Sequence, residues 1–211
     1  MNMNMNWGPY LMKTTVDDYI VDWLIENGEK QNSDFRDQLA GHLKVEKAYD
    51  DEQKKWFANE MVGIFNDYRL KHNEYHRLDR IGDDKVKVKM KLDSLWINYM
   101  LKGDVNPPHT HTGDLSFVIY CQVPDNMTTD VDGIVVKQSA YPGAIIFSHG
   151  ENSRPQWTTN EICHMPKKGD CFIFPATLTH LVLPFRCEGT RISVSGNLSY
   201  LNRHEWPQGF F

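Results

Sequence analysis

Cysteine is scarce in this sequence, and what there is does not pair. Cys121, Cys163, Cys171 and Cys187 form no CxxC and no zinc-finger spacing. A disulfide scaffold and a structural zinc module are therefore excluded, and reduced thiols in a cytoplasmic protein are the expectation. Long apolar runs are also missing: none approaches the ~20 residues of a membrane span. The opening MNMNMNWGPY has neither the basic nor the apolar region of a signal peptide. Positive charge is not in excess, since the net charge is −5. That balance gives no general attraction to anionic membrane and argues against a nucleic-acid duplex as partner. There is no internal repeat, and no low-complexity tract beyond the alternating Met-Asn start.

The 211 residues, 40% hydrophobic and 24% charged, suit a soluble chain with one sizeable core. Two textures divide it. Residues 1–84 read as a helical support region. Val16, Tyr19, Ile20, Trp23 and Leu24 recur at three- and four-residue spacing after an acidic start, and Gly28 ends the pattern. A second helix is expected from Asp51 to His76, with Trp56, Met61, Ile64, Phe65 and Tyr68 on its apolar face. Asn32 to Asp50 reads as a polar connector with a short helix.

Residues 85–211 read as short β-rich runs between Gly, Pro, Asn and Asp. VKVKM, SLWINYML, LSFVIYCQV, GIVVK, AIIFS, DCFIF, LVLPF and RISVSGNL give roughly eight strands and predict an antiparallel sandwich or barrel. The class is thus α+β, mainly β, with the two regions forming one structural unit.

Six of the nine histidines (His42, His72, His76, His149, His164 and His204) stand in polar contexts and need only solvent or local hydrogen bonds. His109 and His111 differ. On an extended backbone i and i+2 share a face, so both imidazoles can reach one ion. His180, in FPATLTHLVLP, supplies a third nitrogen at another turn-to-strand junction. If the strand runs unbroken from His109, then His111, Leu115, Phe117 and Ile119 share its face, and Asp114 lies opposite with Ser116 and Val118. Parity then favours His111 over Asp114 as a ligand, unless Gly113 introduces a bulge. Eleven residues past His180, alternation puts Arg191, Ser193 and Ser195 on one face and Ile192 and Val194 on the other. A guanidinium on a barrel's inner face can hold a carboxylate by two parallel hydrogen bonds, with a neighbouring hydroxyl adding another.

The run WINYMLKGD, then PPHTHTGDLSFVIY, GAIIF, PKKGDCFIFPATLTHLVLPF and TRISVSGN resembles the 2-oxoglutarate/Fe(II) oxygenase superfamily. It is most similar to the prolyl-hydroxylase-like branch of small bacterial and phage proteins, over Leu95 to about Leu198. The resemblance implies a double-stranded β-helix (jelly-roll) with N-terminal helices packed outside. It implies an oxidoreductase using Fe(II), dioxygen and 2-oxoglutarate to hydroxylate a substrate, with no catalytic residue beyond the metal site. His109 and His180 would ligate iron, and Arg191 and Ser193 would hold the distal carboxylate of 2-oxoglutarate. Two departures stand out. Where the superfamily has His-x-Asp or His-x-Glu, this chain has His111, leaving His111 or Asp114 as third ligand. Where the branch places a tyrosine three residues before the glycine equivalent to Gly103, this chain has Met100, so Tyr99 or Asn98 would make that co-substrate contact.

A competing reading is a cupin-like three-histidine metalloprotein that does not use 2-oxoglutarate. Nothing in a cupin requires the Arg191-x-Ser193 pair. A peptidyl proline or a small metabolite is the expected substrate class, and the sequence is compatible with an oligomer. Ser153–Trp157 and His204–Phe211 are aromatic-rich candidates for a lid or a dimer contact.

Overall fold

In chain order the elements are β1 (Met12–Thr15), α1 (Asp18–Glu29), β2 (Val45–Ala48), α2 (Asp51–His76), β3 (Met90–Met100), β4 (Asn106–His109), β5 (Leu115–Gln122), β6 (Ile145–Ser148), β7 (Glu161–His164), β8 (Asp170–Pro175), β9 (Thr179–Val182) and β10 (Arg191–Tyr200). They come from a computed structural model that describes residues 8–35, 43, 45–76, 89–127, 141–150 and 160–201. The expected 84/85 division, GIVVK, the start of VKVKM, the Met-Asn start, Ser153–Trp157 and His204–Phe211 lie outside the described residues.

The strands form two antiparallel sheets, one six-stranded in the order β1-β8-β5-β10-β3-β2 and one four-stranded in the order β4-β9-β6-β7. This is the expected jelly-roll. Alternation along each central strand feeds two cores. Ile192, Val194, Ile97, Ile119 and Ile173 face the helices, while Val118, Tyr120, Phe172 and Phe174 face the smaller sheet across Ile145, Phe147 and Val182. Both helices cover the outer face of the larger sheet, as expected.

The helix α2 begins with a reciprocal cap: Gln53 N–H donates to the Asp50 carboxylate at 2.9 Å, and Asp50 N–H donates to the Gln53 side-chain carbonyl at 3.0 Å. Phe57, Met61, Phe65 and Tyr68 form its buried stripe, and Phe57 and Phe65 pack on Phe117, each with ring centroids 5.4 Å away. Gly196 of β10 makes room for that ring, since a Cβ there would lie 2.5 Å from Phe117 and 2.6 Å from the Ser94 carbonyl.

Several local expectations change. Tyr19 is outside the buried stripe of α1, donating its hydroxyl to Glu60, and Val21 is buried instead. Gly28 lies within α1 rather than ending it. It is small because a Cβ would strike Ile97 and the Tyr49 hydroxyl at 2.5 and 2.8 Å. The polar connector supplies strand β2, whose pairing to β3 overrides its weak local signal. Strands β1, β4 and β7 were likewise too short to stand out in sequence.

Candidate metal and co-substrate site

The turn between the sheets builds the site. His109 ends β4 and His180 lies directly opposite it on β9. The chain then leaves the smaller sheet, crosses through His111 to Gly113, and enters the larger sheet at Leu115. The unbroken strand assumed from parity is therefore not what forms, and Leu115, Phe117 and Ile119 face the helices, not the histidines. His111 comes to the other two because its N–H donates to the Ala176 carbonyl at 2.8 Å. Gly113, at φ +91°, makes the crossing, where a Cβ would lie 2.9 Å from the Leu198 carbonyl.

The ligand-capable nitrogens of His109, His111 and His180 all lie within 4.8 Å of one another. Backbone carbonyls assign two of the tautomers. His109 Nδ1–H donates to Pro107 at 2.7 Å and His180 Nδ1–H to Leu178 at 3.0 Å, which leaves each Nε2 as a lone pair. The Nε2 atoms of His111 and His180 are 3.2 Å apart. Burial, followed by the neighbouring imidazoles, pushes His111 down to about 3; burial, followed by His109, pushes His180 down to about 4. Burial also lowers His109. The cluster is thus neutral at neutral pH and can donate three lone pairs to one cation.

Asp114 is turned elsewhere. Its carboxylate accepts the Tyr200 N–H at 2.7 Å, and its own N–H donates to Leu198 at 2.8 Å.

One cavity between the sheets holds the rest. Trp96 packs by His111, ring centroids 5.7 Å apart, and pairs with Ser195. Four residues further along both strands, roughly 13 Å, Met100 pairs with Arg191. Arg191 is 2% exposed; its Nη1 donates to the Gly143 carbonyl at 3.0 Å, and its guanidinium lies 4.8 Å from the Tyr120 ring centroid. Arg191 Nε and the Tyr120 hydroxyl are buried with no hydrogen-bond partner among the described residues. Between the two ends, Glu46, Asn98, Ser193 and Tyr120 form one row across β2, β3, β10 and β5, and all four line the cavity.

The structure therefore brings together His109, His111, His180, Arg191, Ser193 and Asn98. It does not bring Tyr99, which packs into the helix-side core. Tyr120 and Glu46 were missed. Tyr120 could have been found by counting alternation from Ser116 and Val118; Glu46 could not, because its strand was read as a connector.

Residues 94–197 match the model of the family described as "Putative 2OG-Fe(II) oxygenase". The chain belongs to the 2-oxoglutarate/Fe(II) oxygenase superfamily. It is accordingly an oxidoreductase, a dioxygenase whose cofactor is Fe(II) and whose co-substrate is 2-oxoglutarate. Among solved structures, this oxygenase is similar to the viral collagen prolyl hydroxylase vCPH of Paramecium Bursaria Chlorella virus-1 in its 2OG complex. The identity is 13% and the TM-score 0.56, over 90% of this chain and 96% of that one. A Pseudomonas putida prolyl-4-hydroxylase gives 14% and 0.53, over 88% and 90%. HygX of Streptomyces hygroscopicus, with nickel, 2-oxoglutarate and hygromycin B bound, gives 12% and 0.54, over 96% and 86%. At these identities the likeness establishes the oxygenase's fold. No curated protein sequence matches the chain. Among the described residues, no helix is long and apolar enough to cross a membrane.

Proposed function

We propose that His109, His111 and His180 hold the Fe(II), and that Arg191 takes the distal carboxylate of 2-oxoglutarate with Tyr120 and Ser193 beside it. The observation that carries this reading is the pairing of two unsatisfied ends. Three neutral imidazoles converge at one end of the cavity, and a buried guanidinium with an orphan Nε lies at the other. A buried donor without a partner is costly, so its place in a cavity argues for an anion there.

Iron with 2-oxoglutarate and dioxygen supplies the oxidation of a substrate C–H bond. The chain's own part is to bind, orient and exclude water. The carbonyls behind His109 and His180 fix those imidazoles as Nε2 donors. The packing of Arg191 against Tyr120 and Met100 holds its fork in place, so little ordering is left to the moment of binding. Asn98, whose amide lies 3.4 Å from the Ser195 hydroxyl, orients the polar row between the ends. Val118, Ile145, Phe174 and Val182 supply the apolar wall that keeps water scarce.

The substrate we assign is a peptide segment or small molecule, in a reducing, cytoplasmic setting that suits the four unpaired cysteines. Residues 85–211 serve as the catalytic core, and 1–84 support it while also lending it strands β1 and β2 and the cavity residue Glu46. Anaerobic titration of the Fe(II) protein with 2-oxoglutarate tests the reading. A visible charge-transfer band should appear and be lost in Arg191→Ala. Iron binding without such a band would favour the cupin-like alternative.

A further inference from the structure

Asn106 stands three residues before His109, and on a regular strand the two would face opposite sides. Here both line the cavity. The three steps from Asn106 to His109 on β4 are matched by only two on β9, from Val182 to His180. The extra residue is taken up at Pro107-Pro108, which lack N–H groups and suit an edge strand. The bulge thus turns an amide back toward the site. Asn106 Oδ1 is buried and has no hydrogen-bond partner among the described residues.

Strand pairing fixes where along the cavity this amide stands. On β6, Phe147 lies opposite His180, and Ile145 lies opposite Val182, the partner of Asn106. Two residues before Ile145, the Gly143 carbonyl accepts the Arg191 Nη1–H. Asn106 is therefore at mid-span, between the histidines and the guanidinium. Asn98 holds the matching place on the larger sheet, two residues from Trp96 and two from Met100. Its Nδ2 is turned to the Ser193 carbonyl and the Ser195 hydroxyl, each at 3.4 Å, so what it has left to offer is an oxygen.

Two amide oxygens at mid-span do not serve the co-substrate. The polar atoms of 2-oxoglutarate lie near its ends and all accept hydrogen bonds, while its middle is two methylene groups. Arg191, Tyr120 and Ser193 can meet such a molecule with donors. A buried amide oxygen without a donor is costly, and rotation about the last side-chain torsion is all that Asn106 needs to turn to one. Resting on the co-substrate placement above, we propose that Asn106, with Asn98 on the opposite sheet, reads the substrate: this oxygenase acts on molecules that carry an N–H or O–H donor beside the carbon to be oxidised. A peptidyl proline nitrogen has no hydrogen, so in a peptide the donor comes from a neighbouring backbone N–H. A small molecule would offer an amine, an N–H amide or an alcohol.

Two probes of one shape separate donor from non-donor: 2-pyrrolidinone, which has an N–H, and N-methyl-2-pyrrolidinone, which has none. Each is titrated without oxygen into protein loaded with 2-oxoglutarate and Mn(II), a paramagnetic stand-in for Fe(II). Nuclear magnetic resonance follows the Mn(II)-enhanced relaxation of the probe's own protons. Wild type should bind the N–H probe about fivefold tighter, the effect of one net hydrogen bond. Asn106→Leu, folded by circular dichroism and holding Mn(II) and 2-oxoglutarate as wild type does, should lose that preference. Asn106→Ala should lose it too, which guards against a leucine that merely blocks the cavity. No preference in wild type overturns the proposal, as does an unchanged preference in either folded variant. A fall in 2-oxoglutarate affinity in both variants, read by calorimetry, also overturns it, because the amide would then serve the co-substrate. The placement of metal and co-substrate fails separately, if His180→Ala binds Mn(II), or Arg191→Ala binds 2-oxoglutarate, as wild type does.

Discussion

His109 and His180 face one another across the β4–β9 pairing, with ring centroids 4.2 Å apart. Two strand ends that must pair in register thus bring two imidazoles together before any metal arrives, and the carbonyls of Pro107 and Leu178 hold them as Nε2 donors. The site is preorganised by the fold. His180→Ala should therefore abolish stoichiometric Fe(II) binding in the presence of 2-oxoglutarate while leaving the far-ultraviolet circular dichroism unchanged. Metal analysis after anaerobic loading and desalting checks it; full iron occupancy in the variant would remove His180 from the site.

Arg191→Ala should weaken 2-oxoglutarate binding to the metal-loaded protein by roughly 2–4 kcal/mol, the cost of leaving a buried carboxylate without its charged partner. Arg191→Lys should recover part of this, since a point charge cannot reproduce the fork or its stacking on Tyr120. Calorimetry at fixed, saturating metal measures both. Wild-type affinity in Arg191→Ala would mean that the guanidinium serves packing alone.

How much of this was legible in the sequence depended on whether a signal was local. The alternation of Arg191, Ser193 and Ser195 against Ile192 and Val194 is a property of one strand, and the structure reproduces it. The same holds for α2, whose span from Asp51 to His76 was readable from its stripe. His111 is different. Its place follows from a chain crossing between sheets and a bond to Ala176, neither of which period-two counting contains. Counting through the crossing named the residue that joins the cluster for a reason that does not hold. Tyr99 failed in the opposite way: alternation already put it on the far face from Met100, and the structure keeps it there. Glu46 was invisible because β2 exists only through its pairing to β3.

Gly196→Ala should destabilise the protein by about 1–3 kcal/mol, the usual range for overpacking a core. Its backbone is unremarkable for any residue, but an added Cβ meets Phe117 and the Ser94 carbonyl, and Phe117 is itself held by Phe57 and Phe65. Denaturant unfolding measures the loss. Gly196→Ala with Phe117→Leu should recover part of it, and a failure to do so would place the strain in the backbone.

Without metal, stability should fall with acid in a defined window. Burial holds His111 and His180 at about 3 and about 4, against 6.5 for an ordinary imidazole. Below 6.5 the unfolded chain takes up protons that the folded chain refuses, so unfolding becomes easier as pH falls, and the trend from these two groups ends once the folded imidazoles titrate. Above 6.5 both states are neutral at these positions and no slope arises from them. Denaturant midpoints between pH 7 and 4 in wild type and His111→Leu check this. The variant should show the shallower slope; equal slopes would mean that His111 is protonated in the folded protein.

Asp114→Asn should leave metal affinity intact and cost stability instead. Asp114 stands where the chain enters the larger sheet, and it ties three segments together. Its carbonyl accepts the Ala176 N–H at 3.0 Å, its N–H donates to Leu198 at 2.8 Å, and its carboxylate accepts the Tyr200 N–H at 2.7 Å. The first two bonds are backbone and survive substitution. The third passes from a charged acceptor to a neutral amide oxygen, a loss of about 1 kcal/mol for a partly buried bond. The same loosening acts on the turn that carries His111, so any effect on metal should be small and indirect. Mn(II) titration with 2-oxoglutarate present separates the two roles. Wild-type metal affinity with a lowered denaturant midpoint is the expected pair of results. A large loss of metal affinity in Asp114→Asn, with His111→Ala retaining it, would mean that the carboxylate swings to the ion and that the ligand set is two histidines and an aspartate.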